Sequence, residues 1–129
     1  MSEQQKENDY ARKSLPFMIG WGLPMIVLVS VNFLEEFLPA APIILMMAGS
    51  YAWMGAGCVI NAIRCGRLHC HISGPAMLIG AALILLVGFN IIDLGPIRVM
   101  HISYATITLV LFSFVLEWIL GGYVKRSSN

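Results

Sequence analysis

An all-α fold, a four-transmembrane-helix up-down bundle with N-terminus and C-terminus both cytoplasmic, is what the sequence predicts, and three observations predict it. Hydrophobic residues make up 58% of the 129-residue chain and charged ones only 12%, roughly half the charge of a soluble domain and too little to coat so small a core. The apolar residues gather in four stretches, each near the roughly 20 residues that a helix needs to cross about 30 Å of hydrocarbon. Seven of the eight Lys and Arg residues fall on one side of those stretches, the asymmetry that marks a cytoplasmic face.

Taken in order, residues 1–14 are polar and of mixed charge, too poor in apolar surface to offset the entropy of ordering, and read as a mobile tail. The first helix is expected over residues 15–34. Its apolar run is longer than the core of a secretory signal and no A-x-A site follows it, so it reads as a retained span. Pro24 lies inside it and should kink it. The second helix, 43–63, follows Pro42, and the third, 75–92, opens on Pro75 with Ser73 as a cap; a first-turn proline loses no hydrogen bond. Asp93-Leu94-Gly95-Pro96 reads as a turn. The fourth helix, 102–123, leaves 125–129 as a cytoplasmic tail. Unpaired backbone is too costly in lipid for anything but helices here, since the period-2 alternation of barrel strands is missing.

Orientation follows from the flanking charges. Lys6, Arg12 and Lys13 precede the first helix, Arg64 and Arg67 join the second to the third, and Lys125 and Arg126 follow the fourth. Only Arg98 lies opposite, beside the acidic Glu35, Glu36 and Asp93. The expected location is the bacterial inner membrane, multi-pass, with the lipid bilayer as solvent. The connections are short, as in an antiparallel bundle. Ala48, Ala52 and Ala56 form an i, i+4 ladder and Ala76 with Gly80 a shorter one, so the second and third helices are expected to touch there. Trp118, Tyr123 and Tyr104 suit the interfacial belts, while Tyr51 and Trp53, at mid-depth, are expected to fill the bundle.

Chemistry concentrates in the expected cytoplasmic loop, which reads Asn61-Ala62-Ile63-Arg64-Cys65-Gly66-Arg67-Leu68-His69-Cys70-His71 and runs on to Gly74-Pro75. Thiolate and imidazole are the ligands that Zn, Cu and other soft metals select, and C-x4-C lies within the range of zinc sites. The loop faces a reducing compartment, so a structural disulfide explains it poorly. Cys58, two turns before Cys65, and Glu117, an ionisable group inside a span, belong at the same depth. The candidate metal ligands are therefore Cys65, His69, Cys70, His71, Cys58 and Glu117. The plain alternatives are an interfacial polar loop and a glutamate bound to a neighbouring helix. Met18 with Met25, and Met46, Met47 and Met54, are either a thioether path for Cu(I) or packing. His101, Arg98 and Asp93 read as a polar boundary, and Asn32, Asn61 and Asn90 as helix-end hydrogen bonders.

The run Arg64-Cys65-Gly66-Arg67-Leu68-His69-Cys70, followed by Gly74-Pro75 and a helix, resembles a loop of small bacterial integral membrane proteins, a resemblance that implies no particular activity. A looser similarity is to small mercuric-ion transport proteins, which carry cysteine pairs in a helix and in a cytoplasmic loop; the adjacent pair of their first helix has no counterpart here.

The near-zero net charge, +1, offers no field for nucleic acid. Neither a nucleophile with its base, a phosphate-cradling glycine loop nor a carboxylate dyad stands out, so no enzyme is expected. The expected function is a structural or accessory component of a membrane assembly, with other membrane proteins or further copies of itself as partners. The alternative is soft-metal binding or transfer at the Cys/His loop, with a thiol redox role for Cys65 and Cys70 behind it.

Overall fold

The computed structural model describes residues 13–34 and 36–120, apart from the side chains of Asn32 and Cys65. Most of the two expected tails, with Tyr123, lies outside the described residues. The described chain is all-helical, and four of its helices are long and apolar enough to cross a membrane. The first, α1 (residues 14–34), joins Ser14–Phe17, a π-helical turn at Met18–Gly22, and Leu23–Leu34. Then come α2 (Ala40–Cys65), α3 (Leu68–Gly88) and α4 (Val99–Leu120).

The number of helices agrees with the sequence; several of their ends do not, α2 and α4 each starting three residues before the expected 43 and 102. Gly66 takes φ 69° and returns its N–H to the Ala62 carbonyl at 2.8 Å, the left-handed cap that stops α2. Only Gly66 and Arg67 then separate α2 from α3, so the expected loop 64–71 is largely helix. Pro75 accordingly sits inside α3 rather than at its start, and Ser73 is no cap: its hydroxyl donates back to the His69 carbonyl at 2.7 Å. At the other end α3 stops at Gly88, short of the expected Ile92. Asn90 adopts φ 55°, with Asn90 N–H on Val87 and Ile91 N–H on Leu86, a Schellman closure.

Pro24 has its effect just upstream of itself. Within the π turn Leu23 N–H bonds to the Met18 carbonyl, and residue 24 has no N–H to give Ile19. The Ile19 carbonyl is satisfied instead from α2, where Trp53 Nε1 donates to it at 3.2 Å. Trp53 is therefore on the outer surface, 57% exposed, and not a bundle filler as the sequence suggested. Tyr51 is: it is buried, with its hydroxyl 2.7 Å from the Ser103 hydroxyl of α4.

The α2–α3 seam is the most extensive contact, followed by α3–α4 and α1–α2. Glycine makes it close. A Cβ on Gly74 would lie 2.8 Å from the Val59 side chain and 3.1 Å from its backbone nitrogen, and one on Gly55 2.9 Å from Leu78. Gly88 abuts Ile44 in the same way, so α2 and α3 run antiparallel, and Gly80 abuts Thr106 of α4. The expected alanine ladder does not form this seam. Ala48 is buried but Ala52 only partly, and Ala56 is exposed, because the helix turns Gly55 rather than Ala56 toward α3.

Helices α1 and α4 hardly meet. Between them lies a groove of about 1190 Å³, floored by Met47, Tyr51, Met54 and Cys58 of α2 and running from Asp93 and Arg98 at one end to Arg67 and Glu117 at the other.

Candidate functional site: a buried thiol pair

The short α2–α3 hairpin places Cys58 on the last turns of α2 and Cys70 on the first turn of α3. Neither forms a disulfide and both are buried, Cys58 2% and Cys70 0% exposed. The two side chains belong to one buried cluster with Ala62. Trp21 of α1 closes the groove side, donating Nε1–H to the Cys58 sulfur at 3.3 Å. Asn61, one turn after Cys58 on the same face and itself fully buried, donates its amide to the Cys70 sulfur at 3.7 Å.

Behind the thiols runs a chain of polar groups. His69 Nε2 lies 3.2 Å from the Cys70 sulfur, and its Nδ1 pairs with Glu117 of α4. Glu117 also accepts the His69 backbone N–H at 3.2 Å and Arg67 Nε at 3.2 Å. A carboxylate at the first turn of α3 satisfies an orphan N–H and faces the positive end of the helix dipole. It supplies the cap that neither Arg67 nor Ser73 provides. Phe114 stacks on the imidazole at 4.5 Å between centroids, fixing the ring against α4. The imidazole is thereby held between the Cys70 sulfur and the Glu117 carboxylate.

Of the six residues singled out in sequence, four meet here: Cys58, His69, Cys70 and Glu117. His71 does not, being exposed, since residues two apart on a helix face nearly opposite ways. Cys65 ends α2, and its side chain lies outside the described ones. Among the described residues no three His, Cys, Asp or Glu side chains converge on one point as a metal site needs, and no buried side-chain nitrogen or oxygen lacks a partner. A pair of thiols in one cluster still satisfies the lower coordination that soft monovalent ions accept.

Sequence reasoning missed Trp21, Phe114 and the part played by Asn61. The i, i+3 spacing of Cys58 and Asn61 was the available signal; Trp21 and Phe114 arrive from helices 37 and 45 residues away. At the far end of the groove His101 caps α4, its Nδ1 accepting Arg98 N–H at 3.1 Å, in keeping with a boundary role.

No family model, curated protein sequence or solved structure matches this chain.

Proposed function

We propose that this chain is a multi-pass protein of the bacterial inner membrane that binds a soft, thiol-seeking metal ion between Cys58 and Cys70, a binding role rather than catalysis. The observation that supports the reading is the packing of two buried cysteines in one cluster, backed by His69 and Glu117. Packing alone asks for no such group, because buried polar clusters are costly unless they are fully satisfied and commonly mark function in membrane helices. Soft thiolates favour Cu(I) and its congeners over hard cations. Both termini and the α2–α3 hairpin are assigned to the cytoplasm on the seven-to-one distribution of basic residues.

The test is a Cu(I) titration of the purified, reduced protein in detergent against a coloured competing chelator. Cys58→Ser and Cys70→Ser should each abolish tight uptake, since hydroxyl replaces thiolate poorly. His71→Ala should keep it. Uptake unchanged without Cys58 and Cys70 sinks the proposal.

A second reading, a structural component that packs against larger membrane partners, is favoured by one observation. Most of α4 away from α3 is exposed and apolar, with Leu111, Phe112 and Ile119 more than half bare.

A further inference from the structure

Five methionines line the α1–α4 groove, namely Met25, Met47, Met54, Met77 and Met100, and so does Cys58. The helix contacts give each a level. On α2, Met47 and Met54 are seven residues apart and Cys58 four further on, so all three share a face, at steps of about 10 and 6 Å. Gly74 abuts Cys58 and Val59 while Gly88 abuts Ile44, which sets Met77 of α3 level with Met54. Gly80 abuts Thr106, which sets Met100 of α4 level with Met47. Trp21 bonds to Cys58 and Ile19 to Trp53, while Leu23, Pro24 and Val27 of α1 line one cleft with Gly49, Ser50 and Trp53 of α2, so Met25 falls between Met47 and Met54.

The groove therefore carries an outer tier of two thioethers (Met47, Met100), a middle tier of three from three helices (Met25, Met54, Met77) in which Met25 stands toward the outer one, and Cys58, with Cys70 buried behind it. We infer that the groove is a route for a soft monovalent cation, Cu(I) or Ag(I), from the Asp93–Arg98 end past the thiol pair to the Arg67–Glu117 end. This deepens the metal-binding proposal and rests on it for the thiol pair.

The ligand chemistry favours that class of ion. Thioether sulfur is neutral and soft, a good partner for Cu(I) or Ag(I) and a poor one for Zn(II) or Mg(II). Neutral ligands leave the charge of the ion in place, and desolvating a divalent ion in an apolar groove costs far more than desolvating a monovalent one. The long, unbranched methionine side chain also sweeps more of a step between tiers than leucine, whose shape is fixed closer to the backbone. Binding strengthens from thioether to thiolate along the row, so the ion has a downhill path to Cys58 and Cys70. Tyr51 and Ser103, whose hydroxyls bond across the groove floor between the tiers, supply polar oxygens midway.

The full chain, reconstituted in vesicles holding an Ag(I)-sensitive dye, tests this. The wild type should pass Ag(I) and exclude Zn(II). Replacing the middle tier together, Met25→Leu, Met54→Leu and Met77→Leu, conserves volume while removing sulfur. Influx should fall to that of protein-free vesicles, while the Cu(I) titration of the thiol pair in detergent stays as in the wild type. Influx unchanged in the triple variant overturns the route, as does Zn(II) passing at the rate of Ag(I). Met25 is half exposed, so Met25→Leu alone folds even if the triple variant does not, and it should lower influx measurably; no change there overturns the route too. A wild type that binds Cu(I) but passes no Ag(I) overturns the route alone, whereas loss of binding at Cys58 and Cys70 sinks the function proposed above.

Discussion

The α2–α3 seam and the α1–α4 gap are built from the same apolar vocabulary and differ in one thing, the size of the residue at the point of contact. Along the seam, glycines at 55, 74 and 88 let the helices close until even a methyl group would collide. Across the gap, Met25, Leu28, Leu111 and Phe114 hold the surfaces apart and leave a groove. In lipid there is little hydrophobic drive to bring helices together, so close van der Waals packing at small residues decides which faces join. The seam is therefore the rigid half, and the gap is where a ligand or a neighbour can enter.

The sharpest way to break this contrast is Gly74→Leu. Its side chain would have to displace Val59 backbone as well as side chain, and we expect a loss of about 3 kcal/mol or more, or failure to fold, by unfolding in mixed micelles. Gly57→Ala, on the same helix pair but with nothing within 4 Å, should change stability by no more than about 0.5 kcal/mol. Equal effects would mean that the seam is not where the glycines pack.

Next in size comes Glu117→Ala, at the end where seam and gap meet. It strips the His69 N–H, the imidazole and Arg67 of a shared partner and should cost about 2 kcal/mol. Glu117→Gln keeps an acceptor for the His69 N–H and should lose about half as much in the same assay. If the two variants behave alike, charge rather than capping is the main contribution.

Trp53→Phe should cost about 1 kcal/mol by leaving the Ile19 carbonyl bare. Because α1 makes the least extensive contact of the three adjoining pairs, that loss should appear as faster hydrogen exchange confined to residues around 19–24. Protection lost evenly over all four helices would argue against it. The smallest effect is expected for Ala56→Leu, which points outward and should stay within about 0.5 kcal/mol of the wild type. A larger loss would return the alanine ladder to the seam.

The spans were legible because hydropathy is a summed property that no single contact can overturn. Their ends were not, since each depends on one backbone choice: Gly66 and Asn90 in the left-handed region, and an N-terminus of α3 capped from Glu117, nearly fifty residues away. Reading Pro75 as a helix start was reasonable on local grounds and wrong because Gly74-Pro75 serves the seam, where Gly74 abuts Val59. In the site, Cys58, His69, Cys70 and Glu117 could be named from residue type and depth. Which of the two histidines joins them could not be, until the first turn of α3 sent His69 inward and His71 out.

The hydrogen bond from Trp53 to Ile19 also bears on the order of assembly. The chain is made from its N-terminus, so Ile19 is synthesised 34 residues before Trp53. Until α2 follows, Trp53 cannot reach the Ile19 carbonyl, and the donor at hand is the Leu23 N–H, which the finished π turn gives to Met18 instead. The π turn at Met18–Gly22 is thus complete in its hydrogen bonding only when α2 is in place beside it.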